Sequence, residues 1–247
     1  MQRPRIYTPD ALRTGTTRQL PDSAAAHVTR VLRLAAGDPI TLFDGTGTDF
    51  DAVLKVVSRS AVLAEVGAGR PVDRESPLEV TLLQGVSRGP RMDTVVQKAT
   101  ELGVRAVQPV RTDRSVVRLD AERGEARLAH WQRIAISACE QCGRSVLPDV
   151  LPARSLDEAL SALEPGTVGL TLDPQGEGTP GELLGRAHRV ALAIGPEGGF
   201  TEEEIRTLTR AGFRGLRLGP RILRTETAPL AALAILQFAR GDLGPGP

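Results

Sequence analysis

The stretch VALAIGPEGGFTEEEIRTLTRAGFRGLRLGPRILRTETAPLAALAILQFA, which occupies residues 190–239, repeats one pattern that decides the fold. A short apolar run, first at residues 190–194 and again at 216–218, stops at a Gly-Pro pair, and a helical pattern follows. This order predicts two successive units of strand, sharp loop and helix. Glycine tolerates backbone angles that other residues avoid, and proline fixes its own φ, so we expect both loops to be rigid.

The first loop is expected to leave main-chain groups open to a ligand. Gly198 and Gly199 extend it with backbone that no side chain covers. In open α/β sheets, small molecules bind in the crevice beyond the carboxyl ends of the strands, where this loop would lie. Thr201 and Glu204 have the spacing of a capping box, which predicts a helix start, and Gly212 is expected to end that helix.

The second loop, residues 221–227, holds two arginines and one glutamate immediately before a nearly all-apolar helix from Ala228. An apolar helix of this kind is expected to be buried and to anchor the loop. Ordinary turns of an α/β protein explain one Gly-Pro loop well. Two such loops, each after an apolar strand, weaken that explanation.

The whole chain is predicted to form two domains and a tail. Residues 1–72 contain a helix and several β segments around a glycine-containing turn, which predicts a small and mostly β domain. The polar, proline-ended segment 72–77 marks the boundary. Residues 73–243 alternate strands with helices, which predicts an α/β domain with a mostly parallel sheet and helices on both faces. Residues 244–247 are expected to be a disordered tail.

The distribution of charge is more informative than the net charge of +1. Residues 88–145 contain eleven Arg and Lys against seven Asp and Glu, whereas residues 146–182 contain one against seven. A local basic face can attract a phosphate backbone even on a nearly neutral protein, although solvated helix faces explain the same counts equally well. Aromatic residues make up only 3% of the chain, which argues against a broad platform for base stacking.

Several classes of protein are disfavoured. No apolar run reaches the length of a membrane span, and the N-terminal MQRPRIYTPD lacks the apolar core of a signal peptide. We therefore expect a cytoplasmic protein with no membrane partner. The sequence also lacks a Walker loop, which disfavours a nucleoside-triphosphatase.

Cys139 and Cys142 form a lone Cys-x-x-Cys motif. Zinc would need two further ligands, yet the chain has no other cysteine and its three histidines show no ligand spacing. The pair lies at the end of a predicted helix, whereas thioredoxin-type redox chemistry places it at a helix start. We expect no metal site and favour a structural role for the pair.

Two C-terminal segments resemble known signatures. IGPEGGFTEEE and LGPRILRTETAPLAAL closely resemble those of the RsmE family, the 16S ribosomal RNA uracil-N3 methyltransferases of the SPOUT superfamily. KATELGV, ACEQCGR, RIYT, HVTRVLRL and LFDGTG are also similar to the family, whereas residues 146–190 match least. The resemblance implies a C-terminal domain with a trefoil knot, an N-terminal PUA-like β-barrel and a homodimer. It further implies that S-adenosyl-L-methionine is the methyl donor and that one uridine in the decoding region is methylated.

The resemblance places the cofactor in the two Gly-Pro loops, whose backbone can hydrogen-bond adenine and ribose between apolar walls. The expected cofactor contacts are Leu172, Ile194, Gly195, Glu197, Gly198, Gly199, Leu218, Gly219, Ile222, Leu223 and Ala228. For the leucines, packing in the protein core is the alternative. No metal is required, because methyl transfer depends largely on the positioning of the two reactants.

The catalytic and RNA-contact residues are expected among charged side chains. Uracil N3 carries a proton at neutral pH that must be lost before this nitrogen attacks, and Glu226 is one candidate for the base. Arg221 or Arg224 can stabilise negative charge on the ring oxygens or grip a phosphate, with a structural Arg-Glu pair as the alternative. Phosphate contacts, or plain surface arginines, are expected at Arg3, Arg5, Arg30, Arg33 and Arg88.

Two other functions stay open at this point. A relative that methylates another RNA position, for example a ribose 2′-hydroxyl, would share the fold and the cofactor. An RNA-binding protein without catalytic activity is less consistent with the intact glycine loops.

Overall fold

The computed structural model describes residues 3–58, 61–115, 121–173, 176 and 178–244. The chain forms two units, Met1–Glu75 with Cys139–Leu147, and Ser76–Ala138 with Pro148–Pro247. The first unit ends inside the segment that marks the predicted boundary. It also includes Cys139–Leu147, which the sequence prediction placed in the second domain. From residue 245 onward, the predicted tail lies outside the described residues.

The first unit contains a bent five-stranded sheet. Its strands are β1 (Arg5–Tyr7), β2 (Thr17–Gln19), β3 (Pro39–Phe43), β4 (Thr48–Val57) and β5 (Val62–Pro71), in the order β1-β3-β4-β5-β2. β1 and β3 are parallel, and the other neighbours are antiparallel. The ladder between β4 and β5 shifts register twice, and such irregularities bend long strands. The sheet therefore curls around its own core, in agreement with the small PUA-like β-barrel that the family resemblance implies.

The core of this unit follows from the alternation of side chains along a strand. In β5, Val62, Ala64 and Val66 are buried, whereas Glu65 is exposed, as a strand with one buried face requires. Helix α1 (Asp22–Ala26) continues into a π-helical turn, His27–Val31, and both contribute a buried apolar residue to the same core.

Ionic contacts explain why Cys139–Leu147 folds with the first unit. The buried guanidinium of Arg5 pairs with Asp49 and donates hydrogen bonds to the main-chain oxygen of Arg144 and to the hydroxyl of Ser145, both over 3.0 Å. The Arg144 side chain pairs in turn with Glu75. This placement is at odds with the predicted phosphate contact of Arg5, because its charge is already balanced inside the protein.

The second unit contains a seven-stranded sheet in which every pair is parallel, as predicted. Its strands are β6 (Glu79–Gly85), β7 (Ala106–Arg111), β8 (Asp149–Val150), β9 (Arg154–Ser155), β10 (Val168–Leu172), β11 (Arg189–Ile194) and β12 (Arg214–Leu216). Their order is β12-β10-β11-β6-β7-β8, and β9 also pairs with β7. The helices are α2 (Pro90–Glu101), α3 (Ala121–Cys142), α4 (Leu156–Ser161), α5 (Pro180–Leu184), α6 (Glu202–Arg210) and α7 (Thr227–Arg240).

Helices cover both faces of this sheet. In β11, Val190, Leu192 and Ile194 join an apolar cluster with residues of α2, α3, α5 and α7. Ala191 and Ala193 point the other way and join residues of α4 and α6. Because a parallel strand is buried on both faces, the continuous apolar run in β11 is what the layer arrangement requires.

In the C-terminal segment 190–239, the helices and strands begin and end close to where the sequence predicts, except at one strand. Thr201 and Glu204 form the predicted capping box at the start of α6, and Gly212 lies just beyond its end with φ of +84°. The predicted strand at 216–218 is displaced, since β12 ends at Leu216 opposite the last residue of β10, Leu172. Within the described ranges, no helix combines the length and the apolar character needed to cross a bilayer.

Candidate active site

A cavity of about 820 Å³ lies at the carboxyl ends of β10, β11 and β12. This volume is within the range of sites for drug-sized ligands. Both Gly-Pro loops line it, because the parallel strands β11 and β12, on either side of β10, deliver their following loops to the same edge of the sheet. The lining includes every residue that the sequence analysis assigned to the cofactor or to catalysis: Leu172, Ile194, Gly195, Glu197, Gly198, Gly199, Leu218, Gly219, Arg221, Ile222, Leu223, Arg224, Glu226 and Ala228.

The first loop is compact because it consists largely of glycine. The Gly199 N–H donates to the Pro196 carbonyl over 2.9 Å, and Gly199 has φ of +68°. A Cβ at Gly195 would lie 2.9 Å from the Gly199 carbonyl carbon. A side chain at Gly195 would therefore push the two ends of the loop apart.

Arg114, which the sequence analysis did not single out, supports this loop from outside the cavity. Its guanidinium donates to the main-chain oxygens of Gly198 and Phe200 over 3.0 and 3.2 Å. The neighbouring Asp113 N–H donates to the buried Glu204 carboxylate over 2.9 Å. The segment after β7 thus holds both the loop and the start of α6.

The second loop is fixed at both ends. Gly219 has φ of +88°, a left-handed conformation that favours glycine. The main-chain oxygen of Arg224 accepts hydrogen bonds from the N–H groups of Thr227 and Ala228, each over 2.9 Å, at the start of α7. Between these points, Leu223 packs against the core, whereas Ile222 is 92% exposed. Ile222 therefore lines the cavity at its rim, where most of its side chain is exposed to solvent.

Thr225 joins the two loops, and it too was missed in the sequence. Its hydroxyl donates to the Gly195 carbonyl over 2.9 Å and lies 3.3 Å from Gln84 Nε2 and 3.1 Å from Ser87 Oγ. All three side chains are buried. The carboxyl end of β6 and both loops are consequently tied together at one hydroxyl group.

Arg91 is a third residue that sequence reasoning missed, and it bridges two carboxylates of the cavity. Its guanidinium lies 2.8 Å from Glu197 Oε1 and 3.5 Å from Glu226 Oε2. Glu197 also accepts the Arg88 N–H over 3.0 Å. Burial alone would raise the pKa of Glu197, but the hydrogen bond from Arg88 and the charge of Arg91 together hold it below the ordinary value. Glu197 is therefore ionised at neutral pH.

Two predicted catalytic arginines face solvent beside the cavity. Arg221 and Arg224 are exposed, and neither guanidinium has a hydrogen-bond or ion-pair partner within the described part of the chain. The alternative, an Arg-Glu pair within this loop, is not seen among the described residues, where Arg91 pairs with Glu226. Both arginines are thus available to an anionic ligand.

The other predicted phosphate contacts are distributed over the two units. Arg30 and Arg33 are exposed on and just after the π-helical turn of the first unit. Arg3 is also exposed but pairs with Asp51 over 2.8 Å. Arg88 is exposed in the second unit, between β6 and α2.

The cysteine pair lies in the last turn of α3. Cys139 is buried in α3, where a hydrogen bond with Cys142 and then burial raise the pKa of its thiol. Its thiol lies 3.8 Å from the Val146 carbonyl. No group of three or more metal-ligating side chains was found among the described residues.

Comparison with known proteins gives matches over both units. Residues 74–237 match the RNA methyltransferase domain family, and residues 20–67 match the RNA methyltransferase PUA domain family. The chain is 32% identical to ribosomal RNA small subunit methyltransferase E of Bacillus subtilis, over 87% of this chain and 89% of that protein. It is 31% identical to the protein of that name from Buchnera aphidicola subsp. Schizaphis graminum, over 97% and 98%.

Two solved structures are similar over nearly the whole chain. One is a ribosomal RNA small subunit methyltransferase E from Neisseria gonorrhoeae bound to S-adenosyl methionine, with 45% identity, a TM-score of 0.93 and coverage of 98% of this chain and 99% of that one. The other is a methyltransferase from Legionella pneumophila in complex with the bound cofactor SAM, with 40% identity, a TM-score of 0.92 and coverage of 98% and 100%.

Proposed function

This chain belongs to the ribosomal RNA small subunit methyltransferase E family, and from that premise we propose that it methylates N3 of one uridine in the decoding region of 16S ribosomal RNA. It is an RNA methyltransferase with the SPOUT α/β fold and an N-terminal PUA-like domain. The observation that supports the proposal best is the meeting of two glycine loops and two exposed arginines, Arg221 and Arg224, around one cavity.

The residues of the cavity fit S-adenosyl-L-methionine as the methyl donor. The glycine loops offer main-chain N–H and C=O groups for adenine and ribose, and Leu172, Leu218 and Leu223 provide apolar walls while packing against the core. The carboxylates of Glu197 and Glu226 face the same space, and negative charge favours a cationic sulfonium. When bound, this cofactor supplies an electrophilic methyl group.

The charged side chains can then prepare the nucleophile. Glu226 accepts the N3 proton, and its carboxylate is positioned by the Arg91 guanidinium, which lies 3.5 Å from Oε2. Arg221 and Arg224 stabilise the negative charge that develops on the uracil oxygens or hold a flanking phosphate. The new bond joins N3 to the methyl carbon while the bond from that carbon to sulfur breaks.

The RNA contacts that we propose are the exposed arginines, namely Arg3, Arg30, Arg33 and Arg88. Arg5 is left out because it is buried in an ion pair. Contacts to phosphate position the RNA without reading its sequence. Since ribosomal RNA is the substrate, the protein would act in the cytoplasm.

We also propose a homodimer that forms through α7. This helix buries one face but exposes Ile235 and Phe238 by 38% and 63%, and Leu243 just beyond it by 49%. Apolar side chains in a row on one helix mark an interaction surface. A two-fold axis beside this helix would pair the same patch on both copies.

The function is tested with small ribosomal subunits from a strain that lacks the methyltransferase. The purified protein and labelled S-adenosyl-L-methionine should yield N3-methyluridine, detected by mass spectrometry of nucleosides. Label in a 2′-O-methylated nucleoside would support the alternative position. Absence of any binding heat for the cofactor would support a non-catalytic RNA-binding protein.

A further inference from the structure

Ile222 is the most exposed large apolar residue within the described ranges, at 92%. It lies on the rim of the cavity, in the loop between β12 and α7. Because Ile222 stands at the mouth of a cavity of ligand size, a molecule that binds there can cover its side chain.

The residue projects from a braced loop. Leu223, which follows it, packs against the core, and Thr225 is hydrogen-bonded to Gly195. Pro220, which precedes Arg221 in the chain, restricts the backbone on the other side. Because the backbone on both sides is fixed, the Ile222 side chain can insert into a bound molecule and does not fold back against the protein.

Charge on both sides of Ile222 indicates which partner fits. Arg221 and Arg224 are exposed, and neither has a side-chain partner in the part of the chain that the structure describes. Two cations that flank an apolar side chain match a nucleic acid strand, which has phosphates outside and apolar base faces inside. A purely apolar protein surface would leave both charges without a counterpart.

The proposed reaction creates a need for such a residue. N3 lies on the Watson–Crick edge of uracil, and a stacked base cannot reach the cavity at the ends of the strands. A nucleotide that turns out of the stack leaves a gap between its neighbours, and proteins fill such gaps with apolar wedges that include isoleucine.

We propose that Ile222 is a wedge that enters the RNA stack beside the target uridine while Arg221 and Arg224 hold the adjacent phosphates. The proposal rests on the proposed function, because it requires an RNA base as the substrate. Ile222 is then a substrate-positioning residue and not a wall of the cofactor site.

The test compares Ile222→Ala with Ile222→Met, which keeps apolar volume, and with Val56→Ala, which removes a 41% exposed apolar side chain from the first unit. Each protein is assayed at saturating S-adenosyl-L-methionine on a 16S fragment that carries the target uridine. The same fragment is also used with an abasic ribose on the 5′ or the 3′ side of that uridine. On intact RNA, Ile222→Ala should lower kcat/KM about tenfold or more, while the other two variants stay near the wild type. One of the two abasic fragments lacks the base that the wedge would displace. On that fragment, the kcat/KM of Ile222→Ala should equal that of the wild type.

A fluorescence measurement makes the test independent of turnover. With 2-aminopurine beside the target uridine and S-adenosylhomocysteine present, saturating wild-type protein should change the fluorescence and saturating Ile222→Ala should not. An equal loss of activity on intact and abasic RNA would overturn the wedge. A weaker affinity of Ile222→Ala for the cofactor, measured by calorimetry, would also overturn the wedge, because it would place Ile222 in the wall of the cofactor site. Dissociation of the Ile222→Ala protein to a monomer would overturn it as well, because it would place Ile222 at a contact between two copies of the chain. If the wild-type protein forms no N3-methyluridine, the proposed function fails and not the wedge alone.

Discussion

The hydroxyl of Thr225 donates a hydrogen bond to the main-chain carbonyl of Gly195 over 2.9 Å. These residues belong to the two loops that follow β12 and β11, and this bond joins the loops directly. Gln84 and Ser87 place further polar atoms against the same hydroxyl. This buried side chain therefore helps to fix the separation of the loops, together with Arg91, which bridges Glu197 and Glu226.

Replacement of Thr225 by valine keeps the shape but removes the hydroxyl. Leaving buried partners without a hydrogen bond costs about 1–3 kcal/mol, and we expect the affinity for S-adenosyl-L-methionine to fall about tenfold as the loops separate. Isothermal titration calorimetry measures this change. Thr225→Ser, which restores the hydroxyl, should bind nearly as the wild type does. Equal affinities of the valine and serine variants for the cofactor would show that the Thr225 hydroxyl does not maintain the spacing of the two loops.

Gly195→Ala should damage the first loop because its Cβ would meet the Gly199 carbonyl carbon at 2.9 Å. Relief of such a backbone contact costs about 1–3 kcal/mol, and we expect lower cofactor affinity together with a lower melting temperature. The matched control is Gly124→Ala in α3, where the new Cβ meets no described atom within 4 Å. Alanine is the better helix former there, so the control should be slightly stabilised. Unchanged cofactor binding by Gly195→Ala would contradict the tight loop.

The sequence predicted the parts of this site that depend on local pattern. An apolar strand, the restricted backbone of Gly-Pro and a capping box act within a few residues, so the loops at Gly195 and Gly219 could be placed without a structure. Their meeting followed from the rule that parallel strands share an edge. The trefoil threading could come only from the resemblance, because it is a property of the whole main-chain path.

The residues that were missed act across long sequence separations. Arg91 lies 106 residues from Glu197, and Arg114 lies 84 residues from Gly198, and neither contact leaves a local motif. The burial of Arg5 has the same origin, since its partners Arg144 and Ser145 come from a distant segment. Strand β12 stops at Leu216 because its neighbour β10 ends opposite it, which is a property of the pair and not of the apolar run.

The pH dependence of stability should report the contacts of Glu197. Its pKa in the folded chain is lowered, because the hydrogen bond from Arg88 and the charge of Arg91 outweigh burial. A carboxylate with a lowered pKa contributes to the free energy of unfolding. This contribution is complete at a pH above the ordinary glutamate pKa of 4.5 and is lost as the pH falls through the lowered pKa. The wild type should therefore exceed Glu197→Gln in melting temperature at neutral pH, and the difference should shrink in acid.

The control for this comparison is Glu202→Gln in α6, where the carboxylate is 91% exposed. An exposed ion pair contributes little to stability. The melting temperature of Glu202→Gln should therefore stay close to that of the wild type throughout the same pH series. Scanning calorimetry in matched buffers measures both variants. A constant difference between the wild type and Glu197→Gln down to acid pH would show that the carboxylate charge is not what stabilises the loop.

Phe238→Glu should dissociate the proposed homodimer. Phe238 is 63% exposed on α7, whereas Leu233 and Leu236 of the same helix are fully buried in the core, so the substitution leaves the fold of one copy intact. Burial of one phenylalanine contributes about 1.5–3 kcal/mol, and a two-fold interface buries it once from each copy. A glutamate at this position also places two like charges near the axis. Sedimentation equilibrium should therefore give a dimer for the wild type and a monomer for Phe238→Glu, while Val53→Glu, at a 39% exposed position of β4, stays dimeric. A wild-type monomer, or a Phe238→Glu dimer of unchanged affinity, would remove α7 as the interface.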